Sequence, residues 1–104
     1  DPQGPDRFGN YRDLAVSKFL VGDIAGALDW GCKAGEAPFD EIQILMAAVC
    51  ANHLKGHPCE AERLASRMKN ALPDMSWKDA YGTHILGDEH TQLFEGILSS
   101  YGVN

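Results

Sequence analysis

The sequence is short of what several specialised protein classes need. None of its 104 residues falls in an apolar run near the ~18–20 that a membrane span requires. Cations are scarce: nine Lys and Arg against fifteen Asp and Glu leave a net charge of −6. That balance opposes binding to nucleic acid or to an anionic membrane by counterion release. Cysteine is sparse and odd in number (Cys32, Cys50 and Cys59), so a dense disulfide framework is not expected and a reducing cytoplasm is. Val and Ile are few and show no two-residue alternation, which argues against strands. Without strands there is no strand–glycine loop–helix unit to cradle a phosphate. Ser99 and Ser100 have no positioned base, and no nucleophilic triad is legible. His84, Asp88, Glu89 and His90 lack the His-Glu-x-x-His order of a zinc protease, and helix capping accounts for the two carboxylates. The expectation is a non-enzymatic domain without a cofactor.

What the sequence does contain is helical. Residues 1–7 hold Pro2 and Pro5 and read as a linker end or disordered arm, and the chain reads as an excised piece without a leader peptide. Phe8, Tyr11, Leu14, Ala15 and Phe19 form a stripe at helical spacing, predicting a first helix over 8–21 that Gly22 ends. Asp23 can cap a second helix over 23–36, with Ile24, Ala27, Leu28 and Ala34 on its inner face. Gly26, Gly31 and Gly35 inside that helix each cost about 1 kcal/mol against Ala, which points to close approach of another backbone.

Asp40, with Gln43 three residues on and Phe39 placed to staple Ile44, signals the third helix. From Ile44 to Ala51 every residue is apolar, so this helix should be covered on several sides. Gly56 ends it. Pro58 opens a fourth helix with an inward stripe of Ala61, Leu64, Ala65 and Met68. Ser76 to about Ile85 reads as a short fifth helix. Asp88 opens a sixth, with Leu93, Phe94, Ile97, Leu98 and Tyr101 on one face. The fold class is all-α.

A period runs through the first two thirds. Gly22 and Gly56 are 34 residues apart, as are Ala27 and Ala61; at the same offset Tyr11 meets Leu45 and Ala15 meets Val49. The first helical pair, about 8–39, thus repeats as the second, 40–73. A 34-residue helix-turn-helix period resembles the tetratricopeptide repeat. The motif's large aromatic is replaced by Gly31 and Ala65, and its first-helix tyrosine falls on Lys18 and Asn52. Residues 74–104, from Met75-Ser76-Trp77 to Leu93-Phe94-Glu95-Gly96-Ile97-Leu98, resemble the tail that closes such arrays in bacterial signalling proteins, including adenylate/guanylate cyclases. The resemblance implies a right-handed array of antiparallel hairpins with a closing helix pair. It also implies a protein-interaction or self-association module, part of a larger bacterial signalling protein.

In the repeat register the inner face holds Arg12, Val16 and Phe19, then Gln43, Met46, Cys50 and His53. Arg12 could pair an acidic side chain of a peptide. The lysine and asparagines with which some family members grip a terminal carboxylate are not reproduced at Arg12 and Val16. Two repeats are few for an array, so Phe8, Tyr11 and Phe19 are candidates for an apolar edge hidden in a homodimer. A different reading is a metal-binding sensor: Cys50, His53, His57 and Cys59 supply four zinc-compatible side chains within ten residues.

Overall fold

The computed structural model describes residues 7–72 and 87–103. Among them are five helices and no strand: α1 (Arg7–Leu20), α2 (Ile24–Ala34), α3 (Ile42–Leu54), α4 (Pro58–Ala71) and α5 (Gly87–Ser100). The helix expected over 76–85 lies outside the described residues. α1 packs on α2 and α3 on α4, α2 and α1 both lie against α3, and α5 covers a further side of α3.

Both hairpins turn on a glycine that L side chains would find strained. Gly22 has φ +86° and Gly56 φ +85°, the left-handed conformation that glycine adopts without a Cβ penalty. Five residues back from the start of each following hydrogen-bond network the geometry also repeats: Asp23 N donates to Lys18 O at 2.8 Å, and His57 N to Asn52 O at 2.8 Å. The 34-residue period is therefore a repeat of local structure at the turns. It is not a repeat of the caps. Asp23 accepts from Gly26 N at 3.1 Å, whereas His57, the residue before α4, makes no side-chain cap and Pro58 opens the helix.

α3 is the helix on which the fold is built. Every residue from Ile44 to Asn52 is buried, as its unbroken apolar run requires. Leu45, Met46, Val49 and Cys50 share one cluster with Leu64, Ala65 and Met68 of α4 and with Phe94, Ile97, Leu98 and Val103. A smaller cluster joins Phe8, Ala34, Ala37 and Ile44. The expected inward stripes hold in α4, where Ala61, Leu64, Ala65 and Met68 are fully buried. They fail at two edges: Ile24 is 44% and Leu93 40% exposed, because each lies at the margin of its helix's apolar arc. The N-terminal edge is also better covered than expected. Phe8 is buried, and Tyr11 and Phe19 are half-buried, since Phe8 meets Tyr11 and Phe39 edge-on and Phe19 lies against Phe94.

Of the three glycines expected inside the second helix, Gly35 is instead the cap that ends α2 at Ala34, and Gly31 and Gly35 mark a close helix approach. A Cβ on Gly31 would collide with the Ala51 methyl and sit 3.1 Å from Ala47 O; one on Gly35 would lie 3.1 Å from the Ala48 methyl. Gly26 faces only the Asp23 carboxylate.

The start of α3 is shifted by one residue from its expected position. Glu41, not Asp40, is the cap, accepting from Ile44 N at 2.8 Å. Asp40 is held instead by Arg67 of α4, whose Nε donates to Asp40 Oδ1 at 2.7 Å while Nη2 donates to Phe39 O at 2.9 Å and Ala37 O at 3.1 Å. One guanidinium thus fixes the link between the hairpins. Arg67→Ala should lower stability by about 1–2 kcal/mol, since three charge-assisted bonds are lost from a partly solvated site. Arg67→Lys should recover only part of that, because an ammonium lacks the planar fork. Urea unfolding midpoints of the three proteins test this ordering.

Candidate functional site

The helices that repeat, α1 and α3, lie side by side and form the face singled out from the sequence. At one end Arg12 Nη1 donates to Gln43 Oε1 at 2.9 Å, and the same guanidinium lies 3.6 Å from Glu41 and 2.9 Å from Asp13. Arg12 is therefore engaged within the chain, with Gln43 bonded to it and two carboxylates beside its guanidinium.

One and two turns further along, Val16 and Phe19 face Met46, Ala47 and Cys50 across an apolar cleft closed by Leu28 of α2, Leu54 at the end of α3 and Phe94 of α5. The Phe19 and Phe94 rings are 5.2 Å apart. Val16, Phe19 and Met46 are thus brought together, as the helical register predicts. Their exposure differs. Met46 is only 1% exposed and forms the floor, while half-buried Val16 and Phe19 form a wall. Leu28, Leu54 and Phe94 belong to the cleft although the repeat register does not mark them. Leu54, 41% exposed, is at its rim. The cavity encloses about 30 Å³, the space of one water. It can take the tip of one apolar side chain.

His53 stands outside this cleft. It is exposed, its Nδ1 lies 2.8 Å from Tyr101 Oη, and its ring meets the Tyr101 ring edge-on. It lines a shallow depression with Leu93 and Ile97 instead.

The four residues of the metal reading do not converge. Cys50 is buried in the core and Cys59 is exposed on the first turn of α4. His57 Nδ1 donates to Asn52 Oδ1 at 3.3 Å, and His53 is turned to Tyr101. Among the described residues no three His, Cys, Asp or Glu side chains are placed to hold a metal ion. Proximity along the chain is undone by helix rotation and by the Gly56 turn.

Asn52 is the one buried polar side chain among the described residues, and both its amide nitrogen and its amide oxygen are bonded. Its Nδ2 donates to Ala48 O at 2.9 Å, and its Oδ1 accepts from Cys32 Sγ at 3.6 Å as well as from His57. It links both hairpins.

Burial sorts the cysteines chemically. It pushes the Cys50 thiol far above the ordinary range, and raises that of half-buried Cys32 against the opposing pull of Lys55. Since the thiolate is the reactive form, a soluble alkylating reagent should label Cys59 first, Cys32 slowly and Cys50 only on unfolding. Mass spectrometry of timed digests reads this directly.

A surface pair completes the electrostatics of this side. Lys55 Nζ donates to Asp29 Oδ1 at 2.6 Å across the α2–α3 boundary; this bond lowers the Asp29 pKa and raises that of Lys55. No described helix is long and apolar enough to cross a membrane. Comparison with protein-family models, with curated proteins and with solved structures finds no match for this chain.

Proposed function

We propose that the domain is a non-catalytic, tetratricopeptide-like module for protein interaction or self-association, serving as a regulatory or scaffolding part of a larger bacterial signalling protein. The observation that carries this reading is the apolar cleft between α1 and α3, walled by Val16 and Phe19, floored by Met46 and rimmed by Leu54. The hairpin period and the matching left-handed glycines at Gly22 and Gly56 support the repeat assignment. The volume of the cleft favours a protein side chain over a small molecule. An exposed apolar rim beside a preformed apolar recess is the arrangement in which one anchoring residue of a partner contributes most of the binding energy.

Light scattering over a concentration series tests the reading, with Leu54→Lys as the paired variant because Leu54 is exposed at the rim and the change leaves the core intact. A dimer that Leu54→Lys converts to a monomer identifies the cleft as a self-association surface. A monomer at every concentration removes self-association and leaves an apolar peptide segment as the ligand. Stoichiometric zinc in the same purified sample would overturn the proposal in favour of Cys50, His53, His57 and Cys59.

A further inference from the structure

A second surface, sharing no residue with the apolar cleft, has its own chemistry. It lies at the end of the first hairpin opposite the Gly22 turn. There the first turn of α1 meets the last turn of α2, and Arg7, Phe8, Tyr11, Lys33 and Glu36 line an open pocket of about 330 Å³. Aromatic rings form its back. Trp30 stacks on Tyr11 with ring centres 5.4 Å apart, and Phe8 meets Tyr11 edge-on at 5.9 Å.

The cations here differ from most others in the fold. Arg12, Lys18, Lys55, Arg63 and Arg67 each have a carboxylate within ion-pair distance. Among the described residues Arg7, Lys33 and Lys69 have none, although the Lys33 charge reaches Asp29 at longer range. Of these three, Arg7 and Lys33 line this pocket. Each lies on an aromatic face instead: the Arg7 guanidinium is 4.6 Å from the Phe8 ring centre and the Lys33 ammonium 4.7 Å from that of Trp30. A ring holds a cation through its negative face without neutralising it, and a guanidinium laid on a ring keeps its in-plane N–H donors for an anion. Two positioned cations with no carboxylate in ion-pair contact, and an aromatic wall around one pocket, are matched by a carboxylate adjoining a flat apolar group. Glu36, on the same rim, sets the charge of the ligand. It penalises a phosphate dianion more than a single carboxylate, and its oxygens can accept from peptide N–H groups.

We propose that the Arg7–Lys33 pocket is a docking site for an acidic segment of a protein partner that carries an aromatic residue beside its Asp or Glu. The site sits apart from the apolar cleft, so failure of either leaves the other standing.

The test is a titration of the full chain with a Glu-Asp-Phe-Glu-Asp peptide, followed by amide chemical shifts. Expected are saturable shifts confined to residues 7–11 and 30–36, weakening with added salt. Lys33→Gln should loosen binding roughly five-fold, in keeping with one charge-assisted contact. Glu36→Gln should tighten it by a similar factor by removing like-charge repulsion; both residues are exposed, so neither change threatens the fold. Absence of saturable shifts overturns the proposal, as does binding that Lys33→Gln and Glu36→Gln leave unchanged. Equal binding of a Lys-Lys-Phe-Lys-Lys control would show that the rings alone are recognised. Tighter binding of inorganic phosphate or of a short oligonucleotide at the same amides would overturn the assignment to an acidic peptide.

Discussion

Leu98→Ala should destabilise the whole domain by about 2–5 kcal/mol, the range for removing a fully buried leucine from a core that relaxes only in part. Leu98 of α5 is completely buried in the cluster that also contains Leu45 and Met46 of α3 and Leu64 and Met68 of α4. Val103, after the helix, is 1% exposed in the same cluster. A cap that merely shields the end of an array would fray on its own, with little effect on the hairpins it covers. Here the contact is with the interior of α3, so the closing helix and the two hairpins should unfold together. Domains of this size have about 5–15 kcal/mol in total, and the loss should be visible as a large drop in the urea midpoint with one cooperative transition retained. An unchanged midpoint, with rapid hydrogen exchange restricted to α5, would show that the helix lies outside the cooperative core.

Gly31→Ala should also destabilise, by about 1–3 kcal/mol, although alanine is the better helix former by up to about 1 kcal/mol. The two effects have opposite signs, and sterics decides. The new methyl would collide with the Ala51 methyl and crowd Ala47 O at 3.1 Å. Ala47 O belongs to helix backbone and cannot swing aside, so α2 must move off α3. Removing the opposing methyl as well, in Gly31→Ala/Ala51→Gly, should return part of the stability, and this coupling distinguishes a steric clash from a general loss of α2. Gly26→Ala is the comparison: its methyl meets only the Asp23 side chain, so its cost is limited to that helix cap, about 0.5–2 kcal/mol, and Ala51→Gly should not offset it. A Gly31→Ala protein as stable as the parent would mean that α2 and α3 are not in contact at this point.

Glycine spacing shows where legibility in the sequence stops. Gly26, Gly31 and Gly35 carry the same local signal, a helix-weakening residue within a helical pattern, although Gly35 proves to be the cap that ends α2. Only Gly31 and Gly35 face α3. Which of the three lies at the contact depends on how α2 is rotated and how far its axis stands from α3, and both are set by packing. The cap of α3 has the same character. Asp40 and Glu41 are adjacent carboxylates, either able to accept from the first turn; Arg67, 27 residues away from Asp40, draws Asp40 off and leaves Glu41 to cap.

The candidate sites divide along that line. Helical register alone placed Val16, Phe19 and Met46 on one face, and they do line one cleft. Register carried no information on Phe94, which reaches that cleft from a helix more than forty residues beyond Met46, or on the neighbours that engage Arg12. The cysteine and histidine cluster was dense along the chain and disperses in space, because a helix turns successive residues about 100° apart and sends Cys50 inward while His53 points out. The pocket at Arg7 and Lys33 left only a faint trace, Trp30 and Lys33 three residues apart on one helix.

By itself, the sequence determined the all-helical class, the two glycine turns 34 residues apart, the burial of α3 and the inward stripe of α4. Each follows from local backbone preference or from the period of apolar residues, which act within a few turns of chain. Only the tertiary structure decided which glycines touch, which carboxylate caps, which cations lack an ion-pair contact and which helix closes the cleft. Those outcomes depend on distances between segments far apart in the chain, and such distances are fixed when the helices pack.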